Sequence, residues 1–374
     1  MQEKTLTGGR SYYLDIARTI AIISISLNHA VNRTYDNYFG QMEEFLESSY
    51  LSSLLKSVVT VFSHLGVPLF LMISGALLLH KRMETADDVK RFYRHNLLEL
   101  FITAEIWYFI MYWFRVFAVP GVNLLKENGL GNTLLGCVKT MLFLDQSTMD
   151  SMWYMPMILC LYATIPFAAM LVKKLPMKML SLPLLLVFLR MFMLPLVNSL
   201  LAGLGLATMS SATVREANIC SMYYVYVFAG YWISEGKLSK LRTGTVAALT
   251  VLVFAVCCGY QLWLYAGPAN LLVDYEHPGI VLCAMGLLEL LRRGAEHLRG
   301  LRPVVTYLAK ISFGIYFLHI LIMSLLIWYM DFSSWSHPLK LLFLEGVSVG
   351  GSILLIALFS GIPFCRRRMF GIKG

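Results

Sequence analysis

The chain has 374 residues, 58% of them hydrophobic and 14% charged, against roughly a quarter charged in a soluble domain. Its apolar residues come in long runs rather than at a helix or strand period, so a water-soluble fold would leave many exposed, and lipid is the solvent for most of the surface. The net charge of +9 then bears on where Lys and Arg sit about a bilayer and not on nucleic acid, and the seven cysteines, odd in number and without metal-type spacing, imply neither a disulfide framework nor a metal site.

Runs close to the ~20 residues needed to cross ~30 Å of hydrocarbon fall near 12–32, 57–80, 96–118, 152–172, 179–198, 218–234, 244–265, 276–292, 307–330 and 341–364. They predict an all-α polytopic membrane helix bundle of about ten transmembrane helices, a single integral domain over residues 1–374. The first run is longer than a signal core, contains Asp15 and Arg18, and lacks a convincing small-x-small cleavage site; it reads as a retained helix. No stretch between the runs is long enough for a soluble catalytic domain, so any chemistry is expected from the helices and their loops.

Orientation follows from the basic residues. With the N-terminus inside, 22 of the 31 fall in inner segments, namely those spanning Lys4–Arg10, Lys81–Arg94, Lys173–Lys178, Lys237–Arg242, Arg292–Lys310 and Arg366–Lys373. Six fall in outer segments (Arg33, Lys56, Lys126, Lys139, Arg215, Lys340) and three within spans (Arg18, Arg115, Arg190). That bias is what the positive-inside rule expects, and it predicts both termini in the cytoplasm and a multi-pass protein of the cell membrane.

The first span carries Asp15, Arg18 and His29. Ionisable side chains in a span are costly and usually paired or functional. Eleven residues from Arg18 to His29 make about three turns, so both project from nearly one face, about 16 Å apart along the axis. Asp15 lies close enough to pair with Arg18. This face reads either as a structural ion pair with an interfacial histidine, or as the polar wall of a reaction cavity.

Leu14-Asp15-Ile16-Ala17-Arg18, followed after ten residues by His29, is similar to the LD-x-x-R…H signature of the acyltransferase-3 family of bacterial membrane O-acyltransferases. Val67-Pro68-Leu69-Phe70-Leu71-Met72-Ile73-Ser74-Gly75 resembles that family's VPLFF-x-x-SG segment, with Leu71 where many members have an aromatic. Arg91-Phe92-Tyr93-Arg94 resembles its R-x-x-R. Met152-Trp153-Tyr154, then Tyr162 and Pro166, resemble its W[YF]…Y…P stretch. Ser312 to His319 resembles its S-x-x-x-Y-x-x-H. The ordered set is more specific than any one motif.

The resemblance implies acyl transfer, commonly acetyl from acetyl-CoA, to a hydroxyl of an envelope glycan or lipid-linked sugar. Acyl-CoA then visits as donor substrate, and no metal or permanently bound cofactor is expected; no P-loop or GxSxG elbow appears either. His29 suits the general base that activates an acceptor alcohol. Arg18 suits a fixed cation for CoA phosphates or a developing oxyanion. Arg91 and Arg94, three apart at the expected cytoplasmic mouth, suit a phosphate clamp, or are ordinary inner-face charge. The expected cavity is lined by the first three helices. His64 is a cavity candidate or a satisfied interior histidine, and His319 a cavity candidate or a packing group. Ser74, Trp153 and Tyr316 are further cavity candidates. Glu105 is another, deeper in its span than Glu99, with Arg115 and Arg190 as possible partners. Asp145 and Asp150 belong to an outer segment that meets either an acceptor or solvent. Two other functions compete: a glycan or solute transporter, for which no clear half-helices or internal symmetry is read here, and a non-catalytic ligand-sensing domain.

Overall fold

A computed structural model describes residues 11–35, 41–121, 124–144, 152–208, 221–267 and 270–372; Asp145, Asp150, Lys4, Arg10, Arg215 and Lys373 lie outside the described residues. Among the described residues every regular element is helical. The main helices are α1 Tyr12–Thr34, α2 Gln41–Glu47, α3 Tyr50–Ser63, α4 Gly66–Leu78, α5 Ala86–Phe92, α6 Leu98–Ala118, α7 Leu124–Met141 and α8 Tyr154–Lys174. They continue as α9 Met177–Phe188, α10 Leu194–Gly203, α11 Tyr223–Ser234, α12 Thr243–Tyr265, α13 Pro278–Gly294, α14 Arg302–Tyr329 and α15 His337–Phe359.

Eight stretches among the described residues are long and apolar enough to cross a membrane, and one of them, Pro278–Tyr329, holds both α13 and α14. The predicted sixth span is α11, whose 12 residues rise only about 18 Å and fall short of a full crossing. The stretch between the third and fourth predicted spans is the helix α7, bent where Gly129 takes φ 73°, and Cys137 is buried in it.

The predicted second span is interrupted. It begins at Tyr50 and breaks at His64–Leu65 between α3 and α4. Pro68 explains the break: a proline ring clashes with the carbonyl four residues earlier, here that of His64, but fits the first turn of a new helix. His64 closes the end of α3, its Nδ1 donating to the Thr60 carbonyl at 2.7 Å.

α1 is the central column. Its apolar window is 67% buried, whereas that of Met179–Gly203 is 17% buried and faces outward. Ala17, Ala21, Ser24, Ser26 and Ala30 are fully buried, and such small residues let neighbouring backbones approach closely, as helix pairs in lipid require. α4 and α11 cross still more closely. A Cβ built on Gly75 would overlap the Val227 carbonyl, and one on Gly230 the Met72 carbonyl, while on α1's side a Cβ at Gly66 would stand 2.7 Å from the Ala21 oxygen. Glycine at these three positions fixes where α4 sits.

The loops that carry most of the Lys and Arg meet at the end of the bundle where α1 begins. There Tyr12 donates to the Leu298 carbonyl at 2.7 Å, and Lys173 to the Lys81 carbonyl at 3.0 Å. The buried Glu289 carboxylate accepts from Arg292 and Arg293, which also bond the loop at 238–243. The chain's end returns to this basic end: a π-helical turn Cys365–Met369 is held by Trp107 Nε1 donating to the Met369 carbonyl at 2.8 Å, and Phe370 and Ile372 are buried behind it.

Candidate active site

A cavity of about 260 Å³ opens near the basic end. Arg18 of α1, Ser74 of α4, Tyr154 and Tyr162 of α8, and Lys310 and Tyr316 of α14 supply its polar lining. Phe70, Leu100 and Phe313 supply apolar wall, and Gly371 of the returning tail closes one side. The expected lining by the first three helices is therefore only part of the wall. α6 contributes one residue, Leu100, while α8 and α14, the fourth and ninth predicted spans, contribute most of the remainder. Ser74 donates to the Phe70 carbonyl at 3.0 Å. The Tyr316 hydroxyl is buried with no partner among the described residues, an arrangement that leaves a donor and an acceptor to be satisfied by something entering the cavity.

Arg18 and His29 share a face, as the eleven-residue spacing predicts, and the helix they face is α14. Arg18, Ser312 and Tyr316 line the same cavity. His29 meets His319, with ring centroids 5.4 Å apart. Tyr316 links the two levels, its ring centroid 6.3 Å from that of His319. The S-x-x-x-Y-x-x-H segment thus lays Ser312, Tyr316 and His319 along the seam with α1, one helical turn after another.

The other candidates fall in different places. Asp15 is buried, and its backbone carbonyl accepts from Thr19 at 3.0 Å. Arg91 and Arg94 are exposed; between them, Phe92 packs toward Tyr162 with ring centroids 6.2 Å apart, and Tyr93 donates to the Ala163 carbonyl at 2.8 Å. The pair therefore stands outside the cavity but on the segment that docks against its wall. Arg94 lies in a π-helical turn, Tyr93–Leu97, a geometry frequent at functional positions. His64 is a satisfied interior histidine: beyond its bond to Thr60, the Asn28 amide lies 3.4 Å from Nε2. Its ring lies tilted against Tyr275, which also meets Trp153, so Trp153 belongs to an aromatic cluster with Tyr223 and Tyr275 and does not line the cavity. Glu105 makes no ion pair among the described residues, and its Oε1 is buried without a partner. No pairing of Glu105 with its possible partners Arg115 or Arg190 is present among the described residues.

Three cavity residues escaped sequence reasoning as site candidates. Tyr154 and Tyr162 were visible inside a motif without a role. Lys310 was counted only as an inner positive charge, although it stands two residues before Ser312. A second hollow of about 400 Å³ beside the first is lined by Glu99, Arg366 and Arg367 of the tail, and Ile372; Arg367 approaches Glu99 at 3.9 Å.

The arrangement offers fixed cations at the basic end, a chamber of hydroxyls in the middle and an imidazole pair further along α1 and α14. Among known proteins, a family model described as an acyltransferase domain matches residues 11–359, nearly the whole chain. No curated protein and no solved structure matches it. The span matched runs from the start of the helix bearing Arg18 and His29 to the end of α15, and on that match the chain belongs to the acyltransferase-3 family of membrane acyltransferases.

Proposed function

We propose that this membrane acyltransferase moves an acyl group, acetyl in the simplest case, from cytoplasmic acyl-CoA to a hydroxyl of a cell-envelope glycan or lipid-linked sugar. The observation that supports the reading is a cavity lined by both Arg18 and Tyr316, on the two helices whose His29 and His319 rings lie side by side.

In this reading the basic end is cytoplasmic. A chamber of about 260 Å³ is smaller than typical pockets for drug-sized ligands, roughly 300–1,000 Å³, and suits a pantetheine arm rather than a whole nucleotide. The nucleotide's phosphates then stay at the mouth among Lys310, Arg91 and Arg94, with Arg18 at the threshold. The arm threads past Ser74, Tyr162 and Tyr316 toward His29, a span of about 16 Å along α1. His29 takes the proton of the acceptor hydroxyl as its oxygen attacks the thioester carbonyl. The C–S bond then breaks, and the departing thiolate takes that proton to leave as free thiol.

The interrupted second span would also serve a transporter. Here, however, the break is filled by His64 bonds and held against α1 at Gly66, which suits a fixed wall better than a moving gate. The test is purified protein in nanodiscs with radiolabelled acetyl-CoA and candidate glycan acceptors, beside His29→Ala and Arg18→Ala. Label transfer by the unmutated protein, lost in both variants, is the expected result. Saturable solute flux with no thioester turnover would replace this reading with the transporter.

A further inference from the structure

His319 is fully buried, and its two ring nitrogens have unequal circumstances. Nδ1 lies 2.8 Å from the Ile315 carbonyl oxygen. A carbonyl only accepts, so Nδ1 carries the hydrogen, and in the neutral ring Nε2 is then a bare lone pair. That Nε2 is buried with no partner among the described residues. Buried polar atoms are nearly always satisfied, and an exception calls for an explanation.

The ring beside it is His29, at 5.4 Å between centroids and tilted 42°. Rings so spaced can bring facing nitrogens to about 3 Å, a hydrogen-bond distance, by a modest rotation of the less confined ring. His29 is that ring, because it is only half-buried and forms no hydrogen bond among the described residues. His319 cannot turn without giving up its bond to Ile315.

We propose that His319 is a positioning residue, whose Nε2 accepts a hydrogen bond from one nitrogen of His29 and so leaves the other nitrogen of His29 unprotonated toward the acceptor hydroxyl. This rests on the reading of His29 as the base. A neutral imidazole that must work as a base needs its proton held on the nitrogen away from the substrate; the Asp of a Ser-His-Asp triad does this with a carboxylate, and the wrong tautomer costs such an enzyme most of its rate. Here a neutral lone pair does the same work in a site where a carboxylate would be costly to bury. During transfer the acceptor's proton passes to the outer nitrogen of His29 as the O–C bond forms. His29 becomes an imidazolium, its inner N–H bond to His319 strengthens with the charge, and the thiolate released by C–S cleavage removes the transferred proton. His319 gains and loses no proton over the cycle.

The test compares unmutated protein, His29→Ala, His319→Gln and His319→Phe in nanodiscs, reading thiol release and label transfer with thermal stability as a folding control. The Oε1 of Gln can accept where Nε2 did, and Phe fills the space without a lone pair. His319→Gln is expected to keep turnover within about fivefold, and His319→Phe to lose at least about a hundredfold in kcat with the donor KM within twofold. Turnover in His319→Phe near that of the unmutated protein, or equal losses in both His319 variants, overturns the proposal while leaving His29 as base. Turnover unaffected in His29→Ala, or absent from the unmutated protein, overturns both. If His319→Phe does not fold, the unmutated protein labelled with 15N-histidine decides: a hydrogen-bonded pair of one His29 N–H and His319 Nε2 in the presence of the donor supports the proposal, and its absence in turning-over protein overturns it.

Discussion

Gly75→Ala tests whether the α4–α11 crossing sets the position of the cavity wall. The added Cβ would overlap the Val227 carbonyl oxygen and stand 2.7 Å from its carbonyl carbon and 3.0 Å from its Cα. Carbon atoms at rest lie about 3.5–4.0 Å apart, so the helices must part by roughly 1 Å. The obstructing atoms are backbone on a packed helix, with no flexible side chain to swing away. Overpacking of this kind costs about 1–3 kcal/mol and sometimes more; the rigid neighbour puts this case at about 3 kcal/mol. Ser74, on the adjacent position, lines the cavity, so the displacement also moves a wall of the site, and activity at low temperature should fall even where the protein stays folded. The assay is the thermal midpoint in nanodiscs beside Gly259→Ala, where an added Cβ meets nothing within 4 Å and the gain in helix propensity is up to about 1 kcal/mol. Equal midpoints for Gly75→Ala and the unmutated protein would refute the crossing as the constraint.

Other consequences follow from single sites. Lys310→Ala should raise the donor KM several-fold with kcat little changed, and less so at high salt, since an exposed cation acts through a screened field; donor titrations at two ionic strengths read this. Glu289→Ala leaves Arg292 and Arg293 without the carboxylate that both contact, and because the arginine side chains are 25% and 15% exposed, the loss should be about 2–3 kcal/mol, below that of a fully buried pair; thermal unfolding measures it. In the loop between α14 and α15, the Ser333 amide donates to Asp331 at 2.9 Å, and that bond holds the Asp331 carboxyl below the usual carboxylate range. A depressed acid stabilises its turn above its unfolded pKa and loses the effect as pH falls through the folded one. Protection of the Ser333 amide, corrected for intrinsic exchange, should therefore stay constant from neutral pH down to the ordinary carboxylate range and vanish only below it.

The helical class and most of the spans were legible because apolar runs report directly on lipid contact. The shared face of Arg18 and His29 was legible because helical geometry is a property of one segment. What that face meets was not, because periodicity says which way a side chain points and nothing of which distant segment stands there. Hence the expectation of a site among the first three helices, when α14 provides Ser312, Tyr316 and His319. The break at His64–Leu65 had a signal in Pro68, but the surrounding run is apolar on both sides and hides a discontinuity that costs no hydrophobicity. Arg91 and Arg94 show the reverse limit: their spacing suggested a clamp within the site, yet the side chains are exposed and do not line the chamber, while Phe92 and Tyr93 between them dock against its wall.

The seam between α1 and α14 orders the chemistry better than any single helix does. Along it a cation, a hydroxyl and two imidazoles succeed one another from the basic end, each one or a few turns beyond the last. A donor with phosphates at one end and a thioester at the other has that same order of requirements: charge first, then hydrogen-bonding length, then a base. α1 can sit at the centre of the bundle because Ala17, Ala21, Ser24, Ser26 and Ala30 let its neighbours approach closely beside its larger buried side chains, and in the proposed reading a central helix is where substrates from opposite sides of a bilayer would meet one side chain. Under the proposed reading, a base on a peripheral helix such as α9 or α12, whose apolar faces point outward, would require the acceptor to cross the bundle to reach it.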